Sequence, residues 1–342
     1  MSEFSDILEK ITHRQDLDAG EARDAMRDII SGKLDNEQIS AFLTGMRTKG
    51  ETTEELTEFV KVMREAAVKP DLVVEGAVDL CGTGGDQSGT FNISTAAMFV
   101  VAGAGVPVLK HGNRSVSSKC GSADVLETLG AVAALQKEQV EAVFEDTAMA
   151  FMFAPNFHPA MKHVMPARRS LGIRTFFNIL GPLLNPAGVK RQIIGAYSKE
   201  VARKIIHILA NLDTHFAYTV NAHDGLDEVS LTAQSEIFEL TDQLVSESFV
   251  FDPRSLDFEW VEMDEIQGGD AKTNAAIIRS ILDNSAEPAQ RDIVLLNATF
   301  GIHVSGKVEH LDEAKELAVE SLQTGSALDA LERFIEATNE VS

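Results

Sequence analysis

Apolar residues return every three or four positions through the first 69 residues of the chain. Phe4, Ile7, Leu8 and Ile11 form one group, Ala22, Met26, Ile29 and Ile30 a second, Ile39, Phe42, Leu43 and Met46 a third, and Leu56, Phe59, Val60 and Met63 a fourth. That spacing places each group on one face of a helix. Four amphipathic helices joined by short polar turns are therefore expected, with Pro70 stopping the last. From residue 76 the pattern changes: apolar runs at 77–81, 106–109, 192–197 and 217–220 read as buried strands, and helical patterns at 93–103, 123–130 and 200–212 lie between or after them. The expectation is an α/β chain, with a small helical subdomain over residues 1–70 and a larger α/β domain over residues 71–342. No internal repeat or low-complexity tract interrupts it.

Two loops of small and polar residues follow the first two strand runs. The first is Cys81-Gly-Thr-Gly-Gly-Asp-Gln-Ser-Gly-Thr90, ahead of a helix with Asn92 just before it and Ser94 and Thr95 in its first turn. Glycines let backbone N–H groups approach oxygen closely, and a following helix adds its unpaired N–H groups and positive dipole end, so such a loop is suited to phosphate. Two common phosphate motifs are excluded. Gly84 to Gly89 has Walker A glycine spacing but Thr90-Phe91 stands where Lys and Ser/Thr are required, and a dinucleotide fingerprint starting at Gly82 meets Gln at position 87. The second loop, Lys110-His-Gly-Asn-Arg-Ser-Val-Ser-Ser-Lys-Cys-Gly-Ser-Ala-Asp124, adds cations to the same design. Lys110, His111, Asn113 and Arg114 arrive at the C-terminal end of a strand, where open α/β sheets bind ligands. Ser117, Ser118, Gly121 and Ser122 supply hydroxyl and backbone donors beyond them.

Charge narrows the ligand. The chain carries 30 Lys+Arg against 53 Asp+Glu, a net charge of −23, which would repel a nucleic-acid backbone. Its basic clusters, Lys110/Arg114/Lys119 and Lys162/Arg168/Arg169/Arg174, point instead to a small anionic substrate. The opening Met1-Ser-Glu-Phe-Ser-Asp6 has no basic and apolar leader pattern, and the apolar stretch at 96–109 is too short and too broken by Gly103, Gly105 and Pro107 to span a bilayer. With two cysteines, Cys81 and Cys120, and no disulfide framework or metal-ligand pairing, a reducing cytoplasm is the expected compartment.

Gly82-Thr-Gly-Gly-Asp86, Asn92-Ile-Ser-Thr95, Lys110-His-Gly-Asn-Arg-Ser-Val-Ser-Ser118 and Gly121-Ser-Ala-Asp-Val-Leu-Glu127 resemble, in order, signature segments of the anthranilate phosphoribosyltransferases of tryptophan biosynthesis. The resemblance continues through Phe151-Met-Phe-Ala-Pro-Asn-Phe-His-Pro-Ala160, Arg168-Arg-Ser-Leu-Gly-Ile-Arg-Thr175, Asn178-Ile-Leu-Gly-Pro182 and Gly225-Leu-Asp-Glu-Val-Ser230, and so spans nearly the whole chain. It implies a nucleoside phosphorylase/phosphoribosyltransferase-like fold with a central mixed sheet, and a helical subdomain that gains helices from about residues 160–190 and mediates homodimerisation. It also implies phosphoribosyl pyrophosphate and anthranilate as substrates, with Mg²⁺ as the metal.

Residue roles follow from the same resemblance. Lys110 and Asn92 match contacts of the phosphoribosyl group, Asp86 a position near the pyrophosphate, and Ser94, Asp227 and Glu228 the metal positions. Arg168, Asn113, His111 and the Gly82 backbone match the anthranilate pocket, while Gly84, Gly85, Thr90, Thr95, Gly112, Arg114, Ser117, Ser118, Cys120 and Gly121 complete the substrate-binding segments. On residues alone the picture is more open: in a chain with 53 acids, Asp227-Glu228 reads first as a solvated turn. Helical periodicity from Pro159 puts His158, Met161, Met165 and Arg168 on one stripe without separating Arg168 from Arg169; the resemblance selects Arg168. Cys120 stands where the family more often has a small hydroxyl residue, and reads as a small buried thiol. Leu184 replaces the Thr common before Asn185-Pro186, and nothing in the sequence assigns it a consequence.

A pyrimidine nucleoside phosphorylase of similar fold is the competing enzyme, since it also breaks a bond at a ribosyl carbon. Lys110 to Arg114 and the Asp227-Glu228 pair are closer to the transferase. A non-enzymatic, nucleic-acid-binding relative would lack the acidic pair and carry a basic surface, and this sequence does neither.

Overall fold

The computed structural model describes residues 4–86, 88–115 and 119–342. Helices α1 (Phe4–Thr12), α2 (Ala19–Ser31), α3 (Asn36–Lys49) and α4 (Thr53–Glu65) open the chain. Three of them start from local chemistry visible in the sequence: Asp18, Asp35 and Thr52 accept the N3 N–H, and Glu21, Gln38 and Glu55 reach back. Helix α4 ends at Glu65 rather than at Pro70, because the chain turns away earlier and the Val68 N–H bonds the Phe157 carbonyl. Buried Phe42, Phe59 and Phe176 meet ring to ring, with Phe59 and Phe176 at 4.9 Å, so the bundle shares its core with the segment 164–184.

The sheet contains β1 (Val78–Gly82), β2 (Val108–Gly112), β3 (Met149–Phe153), β4 (Arg191–Gly195), β5 (Phe216–Ala222), β6 (Ser235–Thr241), β7 (Leu244–Val245) and β8 (Phe249–Phe251). Its order is β3-β2-β1-β4-β5-β6-β7, with β8 also pairing β6. The first five strands are parallel, and β5 to β6 turns antiparallel, so the sheet is mixed. Helix α5 (Ile93–Gly103), apolar all round, lies buried on one side against the long helix Pro288–Val304. Helix α6 (Ser122–Leu129) follows the second loop. No helix among the described residues is long and apolar enough to cross a membrane.

Two expected elements are corrected. Strand β2 begins at Val108 rather than at 106, since Pro107 has no N–H to give a ladder, and it runs on to Gly112. Lys110 and His111 are thereby strand residues, not loop residues. The single helix expected from Pro159 is instead a 3₁₀ turn, Pro159–His163, and a separate helix, Met165–Leu171. Pro166 lacks the N–H that would continue the first element into the second. The common stripe for His158, Met161, Met165 and Arg168 therefore does not exist.

Candidate active site

The strand order reverses at β1, whose neighbours are β2 on one side and β4 on the other, and a crevice of this kind opens at the C-terminal ends of the strands. Gly82 and Gly195 end β1 and β4 as direct register partners. Asp227 fills the space above both. A Cβ on Gly82 would stand 2.5 Å from the Asp227 Oδ2, and one on Gly195 only 1.5 Å from the Asp227 carbonyl oxygen. The Asp227 carboxylate accepts the Gly84 N–H at 2.7 Å, which ties the acidic turn to the first glycine loop.

Glu228 lies on the same floor. Its Oε1 accepts the Ser94 N–H at 3.2 Å, at the first turn of α5, and the Ser94 hydroxyl accepts from the Lys110 Nζ at 3.2 Å. Lys110 is buried and also donates to the Leu80 carbonyl. The basic cluster expected from Lys110, Arg114 and Lys119 therefore does not form a surface patch, because β2 carries Lys110 inward while Lys119 is exposed. Burial, then the neighbouring Asp86 charge, pushes the Asp227 carboxyl up to about 7. Burial, then Asp227, pushes Glu228 up to about 8. Two half-buried carboxylates with incomplete compensation make a site suited to a hard divalent cation. Oxygen ligands of this kind suit Mg²⁺, a metal that keeps several water or substrate oxygens; among the described residues no group of three or more His, Cys, Asp or Glu encloses an ion.

In the first loop, Asp86 accepts from the Ser88 hydroxyl, and Thr90 forms a bridge with Gln267. Arg174 donates to the Gly85 carbonyl and stacks on Tyr197 at 4.5 Å, while Arg47 of α3 donates to the Arg174 carbonyl, so the bundle reaches the glycine loop through two arginines. Thr95 is buried inside the first turn of α5.

The second loop is closed at its base by Asp124, whose Oδ2 accepts the N–H groups of Ser115 (3.0 Å) and Gly121 (2.9 Å). Gly121 must lack a side chain there, since a Cβ would meet the Ser115 nitrogen at 2.3 Å. A Cβ on Gly112 would strike the Ser122 hydroxyl and the Phe151 ring. Arg114 grips Glu127 with both terminal nitrogens at 2.6 Å and reaches Asp124 at 3.2 Å, so its charge serves the loop's attachment to α6. Asn113 is exposed, and its Oδ1 accepts the Arg114 N–H at 2.7 Å. Ser117 and Ser118 lie outside the described residues. Cys120 is a buried thiol that burial holds up at about 11.

Behind this floor His111 packs edge-on against His158, ring centroids 5.1 Å apart. His158 Nε2 contacts the Leu184 carbonyl at 2.9 Å. His111 Nε2 and His158 Nδ1 are buried without a partner among the described residues. Burial, then the neighbouring His158, pushes His111 down to about 3, and burial also lowers His158, so both rings are neutral near pH 7. Arg168 is half-buried, with its guanidinium over the Phe177 ring at 5.4 Å, whereas Arg169 is exposed. Among the described residues no carboxylate pairs with Arg168, in a chain with a large excess of acids.

Sequence reasoning missed three residues that shape this site. Asp79 is fully buried on β1 and joins the His111 N–H (3.3 Å) to the Asn185 amide (2.8 Å). Gly195 and Asn274 lie far along the chain from both loops, at the end of β4 and in the helix Ala271–Leu282. A strand-ending glycine was the only signal for Gly195.

Known proteins resemble the chain along its length. Residues 74–328 match the model of a glycosyl transferase family a/b domain, and residues 5–67 that of a glycosyl transferase family helical bundle domain. An anthranilate phosphoribosyltransferase of Salinibacter ruber is 49% identical over 337 residues, covering 98% of either chain. A crystal structure of the Thermus thermophilus anthranilate phosphoribosyltransferase superposes with a TM-score of 0.91 at 34% identity, covering 98% of this chain and 99% of its own. The Saccharomyces cerevisiae anthranilate phosphoribosyltransferase in complex with PRPP and Mg gives a TM-score of 0.90 at 29% identity over 98% of each chain. The same yeast enzyme in complex with 4-fluoroanthranilate gives 0.88 at 28% identity over 99% of each chain.

Proposed function

The chain belongs to the anthranilate phosphoribosyltransferase family, and from that premise we propose how its residues divide the work. The reaction moves the 5-phosphoribosyl group from phosphoribosyl pyrophosphate to the amino nitrogen of anthranilate and releases pyrophosphate. The observation that carries the assignment of roles is the acidic pair at the switch point, seated on two glycines that leave room for nothing else.

Asp227, Glu228 and the Ser94 hydroxyl are the groups suited to hold Mg²⁺. When bound, the metal stabilises the negative charge that grows on the departing pyrophosphate. The chain's own part is electrostatic and positional. The first-loop N–H groups and the N-terminal turn of α5 face the phosphate side with donors, and Asp86 borders the acidic pair. Lys110, fixed between the Leu80 carbonyl and Ser94, supplies positive charge beneath the phosphoribosyl site, and Asn92 supplies an amide above it.

At the acceptor side, the uncompensated Arg168 guanidinium offers a bidentate site for the anthranilate carboxylate. An aromatic amine is neutral at pH 7 and needs no strong base to act as a nucleophile. His111 is neutral and its buried Nε2 has no partner among the described residues, which leaves it open to an amine N–H. In the same proposal Asn113 and the Gly82 backbone complete the acceptor pocket. Holding amine and anomeric carbon in line is itself a large rate term.

The role of the helical region as the face of a homodimer, and a cytoplasmic location, belong to the same proposal; sedimentation of the purified protein tests the dimer. For the chemistry, the test is pyrophosphate release from phosphoribosyl pyrophosphate with and without anthranilate, beside phosphorolysis of thymidine and uridine. Anthranilate-dependent release with no phosphorolysis is the expected result. Phosphorolysis without anthranilate-dependent release would overturn it.

A further inference from the structure

Asn92 occupies the N-cap position of α5, where asparagine is among the best caps, yet its side chain makes no capping bond. The amide is engaged elsewhere. Asn274, buried at 2% exposure in the helix Ala271–Leu282, donates from Nδ2 to the Asn92 Oδ1 at 2.9 Å. The orientation of both amides follows from groups that have no choice of polarity. The Gly269 backbone N–H can only donate, so Asn274 turns Oδ1 to it, at 2.7 Å, and has only Nδ2 left for Asn92. Asn92 must then present Oδ1 to Asn274, which sends its own Nδ2 toward the second loop. There the Cys120 carbonyl, which can only accept, lies 3.3 Å away. A one-way chain of amides thus runs from the Gly269 N–H to the Cys120 carbonyl, joining three segments that are distant in sequence.

We propose that Asn274 is a positioning residue for the phosphoribosyl donor: it fixes Asn92 with its N–H₂ end facing the substrate. The last link of the chain is its longest, and it lies on the side where a substrate oxygen competes with the Cys120 carbonyl. A donor held there meets a phosphate or ribose oxygen favourably; a carbonyl oxygen in the same place would repel it. Asn274 needs no ligand contact for this, and its helix is capped independently by Asp270. The inference rests on the reading of Asn92 as a phosphoribosyl contact.

The test is steady-state pyrophosphate release with each substrate varied, in Asn274→Asp, Asn274→Ala, Asn92→Ala and the double variant Asn92→Ala/Asn274→Asp. In Asn274→Asp one oxygen still accepts from Gly269, but the other faces Asn92 and demands its N–H₂, which turns the Asn92 oxygen to the substrate. The KM for phosphoribosyl pyrophosphate is expected to rise by about 10-fold or more, since hydrogen bonds to charged groups carry that much, with little change in the KM for anthranilate. Asn274→Ala, which removes the partner without reversing polarity, raises the same KM less. In the Asn92→Ala background the Asn274→Asp change adds nothing, because its route is gone. A purely structural role predicts the reverse order, and an Asn274→Ala effect equal to or larger than that of Asn274→Asp overturns the proposal. So does an equal rise in both KM values, or an additive double variant. If Asn92→Ala leaves the donor KM unchanged, the reading of Asn92 fails, and the inference with it; if Asn92→Ala raises it while the Asn274 order is wrong, the inference alone fails. Should Asn274→Asp not fold, Asn92→Asp makes the same reversal from the substrate side, and a donor KM no higher than that of Asn92→Ala overturns the proposal.

Discussion

Replacing Gly195 by Ala tests whether the acidic turn is held by the ends of β1 and β4. The backbone conformation of Gly195 is open to any residue, since it is not among the glycines at positive φ. The whole effect is therefore steric. The new Cβ would lie 1.5 Å from the Asp227 carbonyl oxygen and 2.3 Å from its carbonyl carbon, against a closest real approach of 3.0 Å, so the turn must retreat by about 1.5 Å. Backbone atoms cannot swing aside as a side chain does. Displacing a group that organises reacting charge by roughly 1 Å costs about 100-fold in rate, so kcat/KM for phosphoribosyl pyrophosphate should fall at least that far, and half-saturation by Mg²⁺ should shift to higher concentration. Gly301→Ala is the control. Its Cβ would meet Leu80 at 2.8 Å and Val101 at 2.9 Å in the core, so it should lower thermal stability by the usual cost of overpacking, about 1–3 kcal/mol, with an unchanged Mg²⁺ requirement. A Gly195→Ala enzyme with normal turnover and normal Mg²⁺ half-saturation would refute the argument.

Asp227→Asn and Glu228→Gln should each lower turnover by roughly 10- to 1,000-fold, as for a weakened stabiliser of leaving-group charge, while circular dichroism shows an intact fold; full activity of the double variant at limiting Mg²⁺ would contradict the metal assignment. Arg168→Ala should raise the KM for anthranilate far more than that for phosphoribosyl pyrophosphate, with Arg169→Ala nearly silent, and aniline should be a poor acceptor for the same reason; a larger effect from Arg169 would move the carboxylate site. His111, with its folded-state pKa pushed down to about 3, takes up a proton in the unfolded chain first, so it destabilises the fold progressively as pH falls from about 6.5 toward 3 and has no such effect above that window. Asp79, raised to about 6, acts in the opposite sense: it stabilises as pH falls through 6. Urea unfolding of His111→Gln beside the parent at pH 7 and pH 4.5 isolates the histidine term, and an unchanged difference between the two pH values would refute its neutrality.

Where structure is decided locally, the sequence is a sufficient guide. The first four helices carry their periodicity within a few residues and three of them their caps, each capping Asp or Thr answered by a Glu or Gln three positions on. Both phosphate loops are likewise local, since glycine content, a preceding strand and a following helix all lie within about 30 residues. The floor of the site is another matter. Gly82 and Gly195 become neighbours only through parallel register between strands more than a hundred residues apart, and only that register explains why neither tolerates a Cβ. Lys110 was misplaced for a smaller reason. Strand β2 continues past Leu109, so a residue read as the first of a loop is carried into the sheet, beneath Ser94. Periodicity counted from Pro159 could not separate Arg168 from Arg169, and it runs across a helix boundary that Pro166 resets.

The distribution of unbalanced charge connects these parts to the reaction. At one end of the site stand two half-buried carboxylates, Asp227 and Glu228: desolvation pushes both above the ordinary carboxylate range, Asp86 raises Asp227 further and Asp227 raises Glu228, with Lys110 offsetting Glu228 in part. Elsewhere in the site region a half-buried guanidinium, Arg168, has no carboxylate partner among the described residues although the chain holds 53 acids. Between such extremes the two histidines are kept neutral and retain nitrogens without a partner among the described residues. Each imbalance is unfavourable in isolation, because a buried charge is stable only when paired. Each also matches one chemical feature of the reaction: a divalent cation with its pyrophosphate against the acids, a carboxylate against the arginine, and a neutral amine against the neutral rings. On the proposed assignment the substrates would supply the missing counter-charges, and a ligand lacking any one of them would leave the corresponding group uncompensated, so that selectivity against aniline or against a metal-free donor would arise from penalties already built into the folded chain.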